Sequence, residues 1–556
     1  MTATKSTAAR RARRSQRNRS ASKKARTPDV AVDTVSDAAA KASDVKPVAP
    51  DEIVQETLLP GGINARVSSG LHKAASSLPL PPWWQHFMIW TGRRSAAAGA
   101  SSSLLFWSFV ALVVLAPLPM GAVQPWSWGL MSAGVGVMLC VWAARAWLGQ
   151  EKPWIGLTTT WPLVLLFAVT VIWIVIQGGT ASPGSWHHPL WEIAGTALGR
   201  DLAGRVTLDP GLTWAALTRL AAYAGIFWLA FQLCGRASRA SRALHAVVFA
   251  GLAYAAYGLI VEFSGSQSIL WYAKVAYQDD LTSTFVNRNS YATYAGLALI
   301  CAAGLMMARI TRTLHGPSRL GERIRELLVA FDERGSLLVL AAMTLIAALV
   351  FTNSRAGVMS ALVGLVVLVA AWGAARMVRP RTALTFGGSI LVVLVLGFAV
   401  GGGTLGQRLA DSSIALNDRA SLYNLTLDAI DAAPYLGGGY GAYEHVFRMY
   451  RDPGLRTPYT KAHNTYLENA AELGIPAAAL LVVAVGGVAA VAVRGVIRRR
   501  RDMEYPCIGV AATALVATHS TLDFSLQIPA VTATYCLIMG VACAQSWSSR
   551  RAPDRW

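Results

Sequence analysis

The chain has 556 residues, of which 54% are apolar and 14% charged, with a mean hydropathy of +0.41. Soluble domains carry about 25% charged residues, so a soluble globular fold is excluded for most of the chain. The net charge of +20 is not laid out as a nucleic-acid groove: ten basic residues fall between Lys5 and Arg26, and most others cluster between apolar segments, the positive-inside pattern of a multi-pass membrane protein.

Residues 1–100 are rich in Ala, Ser, Lys and Arg at their start and lack the short apolar core and cleavage site of a signal peptide. They are expected to form a disordered basic cytoplasmic arm and juxtamembrane segment, drawn to anionic membrane lipids. Apolar stretches of about 18 to 23 residues then recur, enough to cross a hydrocarbon core of about 30 Å. Their centres lie near residues 113, 137, 168, 223, 253, 300, 344, 365, 393, 486, 514 and 537. The chain therefore divides into nine spans over 101–402, a loop over 403–474, three spans over 475–546 and a short tail over 547–556. With both termini cytoplasmic, the inner connections hold about 22 basic residues and the short outer loops about five, which fixes the orientation. Nineteen tryptophans suit interfacial belts.

That orientation puts every polar motif on the outer face. Asn287-Arg288-Asn289 precedes the sixth span, as a contact for sugar or phosphate or as a loop-shaping turn. Arg355 lies in the very short connection Thr352-Asn353-Ser354-Arg355-Ala356-Gly357. Its guanidinium is permanently charged and can grip a diphosphate bidentately, or it can snorkel to the interface. In the 403–474 loop, Asn417 or Asp418 is expected to cap a helix running to Asp431, with Leu422, Leu425 and Ala429 at helical spacing and Arg419 in the first turn. The run Gly437-Gly438-Gly439-Tyr440-Gly441 is either a flexible turn or a set of backbone N–H groups open to an anion. A second loop helix is expected from His463 to Gly474, stopped by Gly and Pro476. His463, Leu467 and Ala470 share one face; Asn464, Glu468 and Glu472 share the next. An imidazole just above the bilayer is suited to take a proton from a hydroxyl. His519 and Asp523, four apart, form either a proton relay or a helix-end hydrogen bond.

The remaining motifs exclude more than they assign. The six cysteines lie in apolar runs without CxxC spacing, which speaks against disulfides and zinc. His187-His188 lacks a third ligand. GxxxxGK[ST], HExxH and GxSxG are all absent, so no ATP-driven or zinc-dependent chemistry is indicated.

Together Thr284-Phe285-Val286-Asn287-Arg288-Asn289, Asn353-Ser354-Arg355-Ala356-Gly357, Pro434-Tyr435-Leu436-Gly437-Gly438-Gly439-Tyr440-Gly441 and Ala462-His463-Asn464-Thr465-Tyr466-Leu467-Glu468 resemble, in composition and order, the O-antigen ligase-related membrane family. The tail Leu522-Asp523-Phe524 with Gln527-Ile528-Pro529 extends the resemblance over about residues 210–545. Two places depart from the ligase pattern, Gly474-Ile475-Pro476-Ala477 and Arg419-Ala420-Ser421-Leu422-Tyr423. The resemblance implies an all-α integral membrane protein of about twelve transmembrane helices, GT-C-like, in the bacterial inner membrane with its active site facing the periplasm. It implies inverting transfer of a glycan from undecaprenyl diphosphate to an acceptor hydroxyl, with no metal and no cofactor. The acceptor is lipid A core in a ligase or a second lipid-linked glycan in a polymerase. The family's diphosphate contacts map onto Arg355 and Arg419 and its base onto His463; Arg288 is a further candidate contact for the diphosphate, and Asn287, Asn289, Gly437, Gly439, Gly441, Asn464, Glu468 and Asp523 are the candidate supporting set. The competing class is a transporter of a small anion such as bicarbonate, with Arg288 and Arg355 lining its path. The lack of paired acids in mid-span speaks against it.

Overall fold

The structure is a computed structural model that describes residues 102–313, 332–375, 405–452 and 459–547, with the backbone alone over 405–418. The expected basic arm, the span centred near 393 and most of the tail lie outside the described residues. The helices are α1 (Ser102–Leu115), α2 (Pro125–Trp147), α3 (Leu157–Gly178), α4 (Leu190–Leu198), α5 (Pro210–Leu233), α6 (Ala237–Phe263), α7 (Arg288–Thr313), α8 (Glu333–Phe351), α9 (Arg355–Ala374), α10 (Leu405–Ala432), α11 (Tyr443–Tyr450), α12 (Thr465–Leu473), α13 (Ile475–Arg498), α14 (Glu504–Ser520) and α15 (Pro529–Gln545).

Eight of these are long and apolar enough to cross a membrane: α2, α3, α5, α6, α7, α8, α9 and α13. The shorter α1, α14 and α15 pack into the same bundle. Among the described residues, eleven helices thus coincide with eleven of the expected apolar centres. Local chemistry explains several starts. Proline opens α2, α5 and α15, where the missing N–H costs nothing. Asp209 caps α5 by accepting from Leu212 N at 2.9 Å, and Ser354 caps α9 by accepting from Gly357 N at 3.1 Å.

The central helix is α7, whose span is 100% buried, against 11% for the peripheral α3. Small residues permit this. A Cβ on Gly296 would lie 2.8 Å from Leu515, and one on Gly304 2.3 Å from Ile508, so α14 packs on the α7 backbone itself, as close helix pairs in lipid do. The peripheral α2, α3 and α13 expose Leu130, Val164, Leu165, Val482 and Val483, an apolar rim suited to lipid tails.

The bundle has two chemically different ends. At one, arginines crowd the helix termini, and Arg312 pairs with Glu504 and Arg309 with Asp332. At the other lie the ends of α6, α8 and α14, the starts of α7, α9 and α15, and the loop helices α10 to α12. The sequence led us to expect only helices. A small hairpin interrupts them here, β1 (Ser268–Ile269) paired antiparallel with β2 (Tyr272–Ala273), because the two-residue turn Leu270-Trp271 allows a tight reversal.

Candidate active site

The loop differs from expectation in three ways. Helix α10 begins at Leu405 rather than near Asn417, so Asn417 and Asp418 are interior positions; capping side chains end a helix only where the preceding backbone leaves it. Helix α11 appears where none was expected. Helix α12 starts at Thr465, with Asn464 as its cap, accepting from Tyr466 N at 3.0 Å and Leu467 N at 3.1 Å.

His463 therefore stands just outside α12, with φ of 50°. A left-handed conformation at a residue with a Cβ costs about 1 kcal/mol or more and is held only by its surroundings. Three contacts hold it. Tyr423 Oη donates to the His463 carbonyl at 3.0 Å, Phe524 packs edge-on against the ring at 4.9 Å, and Nδ1 lies 3.0 Å from Asp523 Oδ1.

The Asp523 carboxylate is 1% exposed and the His463 side chain 18%. Burial alone would raise the Asp523 pKa. The hydrogen bond and charge of His463, the charge of His519 and the Phe524 N–H outweigh it and hold the carboxyl below its ordinary range. An ionised acceptor at Nδ1 fixes the tautomer with the proton there and leaves Nε2 as the basic nitrogen. The expected His519–Asp523 side-chain pair is thus replaced by His463–Asp523. His519 Nδ1 instead meets the hydroxyls of Thr293 and Ser525, each at 3.0 Å, while its carbonyl accepts from Asp523 N at 2.9 Å, a helix-end bond.

The arginines converge from three helices. Both α7 and α9 begin on an arginine, Arg288 and Arg355, with no acid in the first turn. A cation there opposes the helix dipole, but arginine and dipole together attract an anion. The two starts are tied: Ser354 Oγ donates to Asn289 Oδ1 at 2.8 Å, and Asn287 Oδ1 accepts from Asn289 N at 2.7 Å. Asp280, absent from the sequence-based set, joins them, accepting from Arg288 at 2.6 Å and from Asn353 Nδ2 at 2.8 Å. Arg355 is exposed. Arg419 lies one turn before Tyr423 on the same face of α10, hence beside the His463 segment. Its charge acts on His519 and on the Tyr277 hydroxyl.

The glycine run does not offer its N–H groups to a ligand. Gly437 N donates to Ala433 O, Gly438 N to Ala471 O and Gly439 N to Glu472 O, at 3.0, 2.9 and 2.9 Å. Gly441 and Tyr443 donate to the Glu472 carboxylate. Gln177 of α3, another residue the sequence left unmarked, donates to Leu436 O and Glu472 O and accepts from Tyr440 N. The run is glycine for steric reasons. Gly437, Gly439 and Gly441 have φ of 67°, 108° and 84°, and a Cβ on Gly439 would lie 1.9 Å from Thr207 Oγ1. Its office is to dock the loop on α3 and α5.

Glu468 supports the His463 segment from below, accepting from Ala462 N at 3.0 Å and Lys461 Nζ at 3.1 Å. Burial, and then the charge of Glu468, push the Glu472 carboxyl up.

Of the sequence-derived set, His463, Asp523, Asn464, Glu468, Arg355, Arg288, Asn287, Asn289 and Arg419 lie at this end of the bundle. Comparison with curated proteins gives no match. The family model described as O-antigen ligase matches residues 340–482, a stretch that contains Arg355, Arg419 and His463 but neither Arg288 nor Asp523. Over residues 340–482 the chain is thus similar to the O-antigen ligase family, and eight of its described helices are long and apolar enough to cross a membrane.

Proposed function

We propose that the protein is an inverting glycosyltransferase of the bacterial inner membrane that moves a glycan from undecaprenyl diphosphate to an acceptor hydroxyl at the periplasmic face. The observation that carries this reading is the buried Asp523 carboxylate 3.0 Å from His463 Nδ1, at the end of the bundle where three helices bring arginines.

In the reaction His463 Nε2 takes the acceptor hydroxyl proton as the oxygen attacks the anomeric carbon from the face opposite the diphosphate. The bond from that carbon to the diphosphate oxygen breaks, and undecaprenyl diphosphate leaves with the electron pair. Asp523 stabilises the imidazolium formed meanwhile. Arg355 and Arg419 stabilise charge gathering on the leaving diphosphate. Arg288, whose charge is shared with Asp280, strengthens the same field. The acceptor is lipid A core or a second lipid-linked glycan.

The test is direct. Purified protein in nanodiscs, given the lipid-linked glycan that accumulates in a deletion strain together with acceptor, should release undecaprenyl diphosphate, and His463→Ala should not. Equal release by both proteins refutes the base assignment. The alternative of a small-anion transporter gains no support from the family match, and the polar motifs gather at one end of the bundle rather than at its middle.

A further inference from the structure

Between α6 and α7 the chain forms an open cavity of about 460 Å³, lined chiefly by Tyr277, Gln278, Asp279, Asp280 and Arg288. We propose that this cavity is a sugar subsite of the same enzyme, holding one pyranose ring of a substrate glycan through Tyr277 and Asp279. The inference rests on the transferase reading and adds to it where the glycan lies.

Four observations lead there. The first is size: ligand cavities span about 300 to 1,000 Å³, so the cavity accommodates one sugar ring. Position is the second. Arg288 and Asp280 line the cavity themselves, and the charges of Asp523 and Arg419 also reach the Tyr277 hydroxyl, so the cavity lies on the side of the site that holds those groups.

Third, the wall is rigid. Arg288 stacks over the Tyr277 ring at 5.3 Å while bonded to Asp280, and the buried Lys274 donates from Nζ to the Asp280 carbonyl at 3.0 Å. Tyr277 itself is held at φ of 57°, a conformation that a tyrosine keeps only when its surroundings impose it.

Fourth, the free groups select the ligand. Asp280 spends one oxygen on Arg288 and the other on Asn353, leaving Asp279 as the exposed carboxylate. One free carboxylate beside an arginine is a poor cation site, and an acid at the rim repels diphosphate. Sugar hydroxyls, which donate to carboxylates and trade hydrogen bonds with phenol and amide, suit it. At the adjoining hairpin Trp271 is 79% exposed and Tyr272 half-exposed, with their rings 5.8 Å apart and inclined at 40°, and the exposed Trp271 face is one on which a following sugar ring can stack.

The ring can belong to the donor glycan or to the acceptor. Both offer the same chemistry, and kinetics separate them. Asp279→Asn and Tyr277→Phe should each raise the KM for one substrate about tenfold, as expected for one lost hydrogen bond to a charged or polar partner, with kcat within about twofold of wild type. A rise for the lipid-linked donor assigns the ring to the donor; a rise for the acceptor assigns it there. In parallel, saturation-transfer NMR with the glycan released by mild acid from the accumulated lipid-linked pool should detect binding to wild type and a several-fold loss in Asp279→Asn. Unchanged KM values in both variants, with an unchanged NMR signal, overturn the subsite and leave the transferase reading standing. Asp279-dependent glycan binding by a wild-type protein that releases no undecaprenyl diphosphate does the reverse.

Discussion

Asp523→Asn removes one charge and almost no volume, which makes it the sharpest probe of the His463 pair. The wild-type carboxylate sits 3.0 Å from Nδ1 and is 1% exposed. A hydrogen bond to a charged group contributes about 1.5–3 kcal/mol, and it strengthens when the imidazole takes a proton and becomes a cation. The amide can instead turn its NH2 toward Nδ1. That favours the tautomer with the proton on Nε2, which has no lone pair there to act as base. The two effects together cost about 3–4 kcal/mol of transition-state stabilisation, or about 10² to 10³ in kcat. Phe524 N also donates to Asp523 Oδ1, at 2.8 Å, so turning the NH2 toward Nδ1 gives up that hydrogen bond, at about 1 kcal/mol of stability.

The assay is single-turnover release of undecaprenyl diphosphate in nanodiscs, with thermal unfolding as the control for structure. Because the two groups act as a unit, adding Asp523→Asn to His463→Ala should cost little more than His463→Ala alone. The pH dependence has a definite sign. The folded-state pKa of Asp523 is depressed, so the stability the carboxylate contributes is present above its unfolded value of 3.8 and is lost as pH falls through the lower folded value. Above about pH 5 it stays charged and gives no limb to the rate profile. Turnover by Asp523→Asn within about threefold of wild type would refute the pairing.

Three further outcomes follow from the same geometry. Arg355→Lys and Arg419→Lys keep the charge but lose the bidentate fork; each should lower kcat/KM for the lipid-linked donor about ten- to a hundredfold, read in the same assay, and full activity in both would remove them from the diphosphate site. Gly439→Ala forces a Cβ to within 1.9 Å of Thr207 Oγ1 at a φ of 108°, so it should destabilise the loop by about 2 kcal/mol or more, seen as a lower Tm in detergent; an unchanged Tm would mean that the loop does not dock on Thr207. The Glu472 carboxyl is raised by burial and by Glu468, so the folded state holds its proton where the unfolded chain has lost it. Stability then falls as pH rises above the ordinary carboxylate range, and Glu472→Gln should flatten that fall; parallel Tm-against-pH curves for the two proteins would contradict it.

The spans could be read from the sequence because length and apolarity suffice to identify a helix that crosses lipid. Arg355 and His463 stand out as candidates for a related reason: a charged or titratable group beside a span is costly unless it has work to do. Pairings across long separations were not legible. Asp523 lies 60 residues beyond His463, and local spacing offered it His519 instead. Asp280 carries no motif, and its importance comes only from the convergence of Arg288 and Asn353 on its two oxygens. The glycine run shows the same limit. Its composition fits an anion cradle or a turn equally, and only the positions of Gln177, Ala471 and Glu472 reveal that its N–H groups are already engaged. Helix α10 outran its expected start because interior Asn417 and Asp418 carry capping chemistry in a backbone that stays helical around them.

The central claim, transfer of a lipid-linked glycan with His463 as base, is tested most directly by the lipid-linked glycans of a deletion strain complemented with wild type or His463→Ala. Wild type should restore the normal profile and His463→Ala should not. Single repeats left on undecaprenyl diphosphate would identify a polymerase, and full-length polymer left on the carrier a ligase. A glycan profile unchanged by the deletion, or fully restored by His463→Ala, would contradict the account.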